Sequence, residues 1–311
     1  MKPDVLVVEL LYPQTLAALD AAYVTHKVWL APDRNALIDS VAERIEAAAT
    51  STDFGMDAPT MDKLPALKLI SHFGVGVDAI DVEAARKRGI AITNTPGVLD
   101  EDVADIALLL LLSVVRKVFA GDRYARDGSW LKGEMTLTDS VQEKTLGIIG
   151  LGRIGRAVAR RAMAFNMRIG YTGPNRKNDV DYAYYPDANT LAAESDFLVA
   201  ACPGGAATRG VVSRTVLEAL GPSGVFVNVA RGSVVDEAAL VQLLRAGRLG
   251  GAGLDVFADE PRIPDGLRGM GNVVLQPHVG SGTHRARRAM GQIVVDNLAA
   301  YFAGRPLVSP Y

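Results

Sequence analysis

The tightest constraint on the fold is local. The apolar stretch Leu146-Gly147-Ile148-Ile149 runs directly into Gly150-Leu151-Gly152-Arg153-Ile154-Gly155, and a helical pattern follows from Arg156 to Phe165. A buried strand, a glycine turn and a helix in that order match the fingerprint of a dinucleotide-binding βαβ unit. The three glycines serve different ends. Gly150 permits the tight turn, Gly152 lets the main chain approach a pyrophosphate, and Gly155 lets the helix pack closely on the strand. The helix amino terminus then faces the phosphates, with Arg153 and Ile154 expected against them.

Elsewhere, short valine- and isoleucine-rich runs alternate with longer helical patterns, the mark of a parallel sheet covered by helices on both faces. The fold class is therefore α/β. A first series holds the strand Val5 to Leu10, a helical stretch from Leu37 to Ala49, the strand Lys68 to His72, a helix over Val82 to Arg88 and the strand Ile90 to Asn94. The chain turns at Thr95-Pro96-Gly97, and Asp100, Glu101 and Asp102 open a long apolar helix running to about Val118, acid in a first helical turn being favourable. A polar stretch from Gly121 to Lys144 contains Trp130, and a second series runs from Thr145 to about Pro277. A final helix, Ala286 to Ala303, has no strand of its own to cover and is expected to return to the first domain. At 311 residues the chain suits two domains of roughly 100 to 200 residues each. The expected division is 1–98 plus 285–311 against 99–284.

Charge and cysteine content narrow the function classes. A formal net charge of -2, with both signs mixed along the chain, provides no concentrated field for nucleic acid or a membrane surface. The longest apolar run, Ile106 to Val115, is about half of what a bilayer-spanning helix needs. One cysteine, Cys202, cannot form an internal disulfide, and no signal-sequence pattern opens the chain, so a cytoplasmic protein is expected. His26, His72 and His284 have no metal-site spacing, and no metal is expected.

The strand after the fingerprint, Arg168 to Thr172, ends without the acid that would bind a ribose 2′-hydroxyl about 20 residues past the glycines. It is followed instead by Gly173-Pro174-Asn175-Arg176-Lys177. Asn175, Arg176 and Lys177 offer donors and positive charge where NADP carries its extra phosphate. NADP is expected to be preferred, with NAD possible as a substitute.

Three later strand ends carry polar residues: Asn228-Val229-Ala230-Arg231-Gly232, then Gly253-Leu254-Asp255-Val256-Phe257 with Asp259-Glu260-Pro261, then Leu275-Gln276-Pro277-His278. Ligands of open α/β sheets bind at such carboxyl ends. With the fingerprint and the run Phe73-Gly74-Val75-Gly76-Val77-Asp78, these segments resemble the D-isomer specific 2-hydroxyacid dehydrogenase family over nearly the whole chain. Within it, the run Gly74 to Asp78 with Asn94-Thr95-Pro96-Gly97-Val98-Leu99 and the acidic Asp100-Glu101-Asp102 is most similar to NADP-dependent glyoxylate/hydroxypyruvate reductases.

The resemblance implies two Rossmann-like domains with parallel sheets, a flavodoxin-like lid and a doubly wound dinucleotide-binding domain. It implies Arg231, Glu260 and His278 as catalytic residues. Arg231 would hold the carboxylate and carbonyl oxygen of a small 2-oxoacid in one plane. His278, paired with Glu260, would donate the proton as charge develops on that oxygen. A histidine suits this because its reference pKa of about 6.5 leaves both protonation states accessible near neutrality. Relatives that oxidise formate carry glutamine in place of the glutamate, so Glu260 points to hydroxyacid chemistry. The backbone amides of Val75 and Gly76 would take the substrate carboxylate beside Arg231 and His278. Cys202, Pro203, Thr208, Val229, Ala230, Asp255 and Gly280 would lie along the cofactor, with Cys202 read as structural rather than nucleophilic.

The resemblance also implies a homodimer through the coenzyme domain, and closure of the domains by hinges near Val98 to Leu99 and Ser281 to Arg285. Two alternatives accompany this reading. One is a phosphoglycerate or other D-2-hydroxyacid dehydrogenase; the other is a dinucleotide-sensing, corepressor-like binding protein.

Overall fold

The computed structural model of the chain describes residues 2–52 and 54–311. They form two compact units, Met1–Leu99 with Thr283–Tyr311, and Asp100–Gly282.

In the first unit, strands β1 (Asp4–Val7), β2 (Val24–Lys27), β3 (Ala47–Ser51), β4 (Leu69–Phe73) and β5 (Ala91–Thr93) alternate with helices α1 (Pro13–Ala22), α2 (Arg34–Val41), α3 (Ala58–Asp62) and α4 (Val82–Lys87). All strand pairs are parallel, in the order β2-β1-β3-β4-β5, which is the flavodoxin-like arrangement. Helices α2, α3 and α4 start where the aspartates Asp33, Asp57 and Asp81 accept from the N–H groups of Ala36, Thr60 and Ala84. Each such cap is worth about 1 kcal/mol.

One expectation fails here. The stretch Leu37 to Ala49 is not a single helix: α2 ends at Val41, and Ala47-Ala48-Ala49 lies in the central strand β3, every residue of which is buried. Alanine favours helix by propensity, but a strand flanked by β1 and β4 is decided by burial on both faces. Strand β2 and helix α1 have no counterpart in the sequence reading either, because β2 reads Val-Thr-His-Lys and sits on a half-exposed sheet edge.

The second unit begins with α5 (Asp100–Val115) and α6 (Val118–Arg126). It continues through β6 (Thr145–Ile149), α7 (Arg153–Ala164), β7 (Arg168–Thr172), β8 (Ala183–Tyr185), α8 (Ala188–Ala193), β9 (Phe197–Ala200), α9 (Arg214–Leu220), β10 (Val225–Asn228), α10 (Glu237–Arg245), β11 (Gly251–Leu254), α11 (Asp265–Arg268) and β12 (Val273–Leu275). The parallel sheet runs β12-β11-β10-β9-β6-β7-β8. Its order reverses between β6 and β9, the place where such sheets bind ligands.

The apolar helix α5 lies directly on this sheet. Side chains at Gly251 and Gly253 of β11 would meet Val114 at 2.5 Å and Leu110 at 2.7 Å, so the two glycines set how near the helix comes. The helix expected to reach Val118 stops at Val115, and Lys117, with φ 48, redirects the chain into α6. Trp130 stands in a short helical turn, Ser129–Lys132, and is 70% exposed.

The chain then returns to the first unit as α12 (His284–Phe302), packed on α1 and β4. The buried Asn297 accepts from the N–H groups of Val308 and Ser309, which fastens the last residues beside β5. Among the described residues, no helix is long and apolar enough to cross a membrane.

Candidate active site

The fingerprint turn follows β6 at the point where the strand order reverses. Gly150 has φ +96, and a side chain there would meet the backbone of Cys202, at the end of β9, within 2.8 Å. A side chain at Gly155 would run into the Gly150 carbonyl oxygen, so helix and strand touch only because that residue is glycine. Gly152 differs from both: nothing lies within 4 Å of where its side chain would be. It is the residue preceding α7, and no side chain caps that helix. Uncapped N–H groups at the start of a twelve-residue helix, beside an open glycine, suit a pyrophosphate. Cys202 is buried, and burial pushes its thiol up to about 11, which makes it an inert wall of this turn. Next to it, Thr208 donates its hydroxyl to the Pro203 carbonyl at 2.6 Å and closes the loop after β9.

The loop after β7 is held by tyrosines. The Lys177 N–H donates to the Tyr171 hydroxyl at 2.7 Å, and the Tyr184 hydroxyl donates to the Gly173 carbonyl at 3.2 Å. Asn175 and Arg176 are exposed between these anchors. Of the loop's two acids, Asp179 is taken by Arg156 at 2.9 Å.

The three polar strand ends converge within the second unit. After β10, the buried Asn228 accepts from the Ala230 N–H at 3.0 Å and donates to the Arg231 carbonyl at 3.0 Å. This brackets Val229 and Ala230 and fixes where Arg231 leaves the sheet; its guanidinium donates to the Ala230 carbonyl at 2.7 Å. A side chain at Gly232 would collide with the backbone of Phe257 and Ala258, so the loops after β10 and β11 are in contact. In the second of these loops Glu260 accepts from the Phe257 N–H at 2.9 Å through one oxygen and meets His278 Nδ1 at 2.7 Å through the other. Burial alone would raise the Glu260 carboxyl, but the hydrogen bonds from His278 and Phe257 and the charges of His278 and Arg231 outweigh it and hold the group below its ordinary value. An ionised carboxylate only accepts, so Nδ1 carries a proton and Nε2 remains for proton exchange with a ligand.

His278 is in the left-handed backbone region, with φ 53, which costs a non-glycine residue of order 1 kcal/mol. It is held there by its N–H on the Asp255 carbonyl at 2.8 Å, and by the Asp255 carboxylate, which accepts from Val279 and Gly280 at 2.8 Å each. Burial raises the Asp255 carboxyl, against the lowering effect of those two N–H groups. Asp255 thus clasps the segment that carries His278, a function no local pattern announces.

In the first unit, the run Gly74-Val75-Gly76 follows β4. The Gly74 carbonyl accepts from the Thr95 N–H at 2.9 Å and the Val75 carbonyl from the Asn94 side chain at 2.8 Å. The Gly76 carbonyl accepts from His72 Nε2 at 2.9 Å. In a trans peptide a carbonyl and the next N–H point to opposite sides. The N–H groups of Val75, Gly76 and Val77 are therefore turned away from these three donors. Among the described residues none of the three has a backbone acceptor.

Comparison with known proteins matches residues 108–280 to the NAD binding domain of the D-isomer specific 2-hydroxyacid dehydrogenases. The chain belongs to that family. Glyoxylate/hydroxypyruvate reductase A of Arabidopsis thaliana is 48% identical to this dehydrogenase over 284 residues, 91% of each chain. Hydroxyphenylpyruvate reductase of Plectranthus scutellarioides is 46% identical over 292 residues, 94% of this chain and 93% of that one. Among solved structures, the NADPH-dependent glyoxylate/hydroxypyruvate reductase of Sinorhizobium meliloti, in complex with NADP and malonate, superposes with a TM-score of 0.92 at 39% identity. That match covers 100% of this dehydrogenase and 97% of the other chain. The two parallel sheets are those expected of the family, and a nicotinamide dinucleotide is the cofactor of its NAD-binding domain.

Four structural residues of these loops escape a reading of the sequence as a site: Thr50, His72, Asn94 and Asn228. Each is a buried polar residue at or near a strand end, and that combination is the only signal the sequence holds for them.

Proposed function

We propose that this dehydrogenase reduces small 2-oxoacids, glyoxylate and hydroxypyruvate among them, with NADPH preferred over NADH. The observation that carries the reading is the 2.7 Å pair of His278 and Glu260, set beside the Arg231 loop by the contact at Gly232. Arg231 binds and polarises the substrate carbonyl, and the amides of Val75 and Gly76 take the carboxylate. Charge developing on the carbonyl oxygen is met by Arg231 and neutralised by the proton from His278 Nε2. Glu260 keeps the imidazole in the tautomer and orientation this needs. The nicotinamide, when bound, supplies the hydride.

On the cofactor side, Gly150, Gly152 and Gly155, with Arg153 and Ile154 in the first turn of α7, hold the pyrophosphate. Asn175, Arg176 and Lys177 take the 2′-phosphate, which the tyrosine-anchored loop presents in place of an acid. Pro203, Thr208, Val229, Ala230, Asp255 and Gly280 lie along the dinucleotide. A homodimer through the coenzyme unit fits the apolar groups beyond α5, where Phe119, Trp130, Leu131 and Leu137 are all more than half exposed. A cytoplasmic setting accords with a single, buried cysteine.

The test is steady-state oxidation of NADPH and NADH with glyoxylate, hydroxypyruvate, pyruvate and phenylpyruvate. NADPH-linked turnover fastest on the two small acids is expected. Preference for phenylpyruvate would replace the substrate with an arylpyruvate, the class named for the Plectranthus relative. Substituting His278→Ala should lower kcat by about 100-fold or more and leave NADPH binding, followed by fluorescence, unchanged. Retained turnover in that variant would remove His278 from the mechanism.

A further inference from the structure

A histidine in the middle of a buried sheet needs a reason, since an imidazole without partners is costly there. His72 is fully buried in β4, opposite the equally buried Thr50 of β3. Its Nδ1 is 3.0 Å from the Thr50 hydroxyl and its Nε2 is 2.9 Å from the Gly76 carbonyl. A carbonyl only accepts, so Nε2 carries a proton, and Nδ1 shares a hydrogen bond with the Thr50 hydroxyl. The loop is fitted to this ring: a side chain at Gly74 would lie 2.7 Å from His72 Nε2 and 2.5 Å from the Thr52 hydroxyl. Gly74 does not have a positive φ, so what a larger residue would have to displace is the ring and Thr52, with no backbone strain added.

We infer that His72 is a positioning residue for the oxoacid carboxylate. By drawing the Gly76 carbonyl inward it turns the Val77 N–H toward the ligand, as Asn94, drawing in the Val75 carbonyl, turns that of Gly76. The sequence places His72 three residues before Val75, yet the ring never touches substrate; it acts through the main chain. The inference rests on the assignment of the carboxylate to the amides of Val75 and Gly76. It adds the neighbouring Val77 N–H to them and names the residue that sets its direction.

Two substitutions separate the ring's bond to Thr50 from its bond to Gly76. In His72→Gln the amide nitrogen can occupy the place of Nε2 and still donate to Gly76. In His72→Asn the shorter side chain reaches Thr50 but not Gly76. The KM for glyoxylate should rise about tenfold in His72→Asn and less than about threefold in His72→Gln, with kcat and the KM for NADPH nearly unchanged in both. Equal KM values in both variants and the wild type, or a parallel loss of kcat and NADPH affinity, would overturn the inference. If the Asn variant does not fold, Thr50→Val removes the ring's other anchor and should raise the same KM about threefold; an unchanged value there overturns it equally. A wild-type protein that reduces no 2-oxoacid would overturn the functional reading and this inference together, whereas an active wild type with indifferent His72 variants would overturn the inference alone.

Discussion

Two glycine turns at the carboxyl ends of parallel strands invite comparison: Gly150 to Gly155 after β6 and Gly74 to Gly76 after β4. Both direct main-chain N–H groups outward. They are built from different materials. The first is shaped by backbone against backbone, with Gly150 on Cys202, Gly155 on Gly150, and an uncapped helix directly behind. The second has no helix at its back, and two of its three carbonyls are held by side chains, those of Asn94 and His72, the third by the Thr95 N–H. A turn made by backbone contact tolerates no substitution, because the main chain cannot move aside. A turn braced by side chains can yield by a few tenths of an ångström, and its accuracy depends on residues that lie elsewhere in the sheet.

The largest expected effect is at Gly150. Substitution by alanine combines a left-handed backbone with a backbone collision, and should cost about 3 kcal/mol or more in chemical denaturation and abolish NADPH binding. Next, Arg176→Ala should weaken NADPH about tenfold and leave NADH nearly unaffected, since a single charge-assisted contact to phosphate is lost. Equal effects on the two cofactors would mean that the loop acts through the shape of the fingerprint turn, and the distinction between backbone and side-chain recognition would fail. Gly74→Ala should cost only about 1 kcal/mol, because Thr52 and His72 are side chains that can shift. A loss as large as that at Gly150 would break the comparison outright. Smallest of all is the response of Cys202: with its thiol pushed up to about 11 by burial, it should resist alkylation in the native protein at pH 8 and react once the protein is unfolded. Labelling of the folded Gly150→Ala variant would then report directly that the turn had opened.

Much of the architecture can be read without coordinates. The strand expected over 146–149 spans Thr145–Ile149, and that expected over 168–172 lies at those residues, because a buried parallel strand is a largely apolar run and a glycine follows its end. The polar strand ends carrying Arg231, Glu260 and His278 are legible for a similar reason: polar residues within a few positions of the end of an apolar run lie near the sheet's carboxyl edge. The alanines of β3 mislead, since propensity is local and the demand for small side chains in a central strand comes from its neighbours. The division of the long helix at Lys117 is equally hidden, as no proline or glycine announces it.

What the sequence alone determined is whatever depends on neighbours along the chain: the strand, turn and helix of the fingerprint, the absent acid after β7, and the order of polar strand ends. Only the tertiary structure decided the 2.7 Å meeting of His278 with Glu260, the clasp of Asp255 on Val279 and Gly280, and the brace of Thr50, His72 and Asn94 on the Gly74 to Gly76 turn. The reason is physical. A hydrogen bond between side chain and main chain is set by where parallel strands place their ends, and parallel pairing brings together residues some 20 or more positions apart, with no periodicity along the chain to record it.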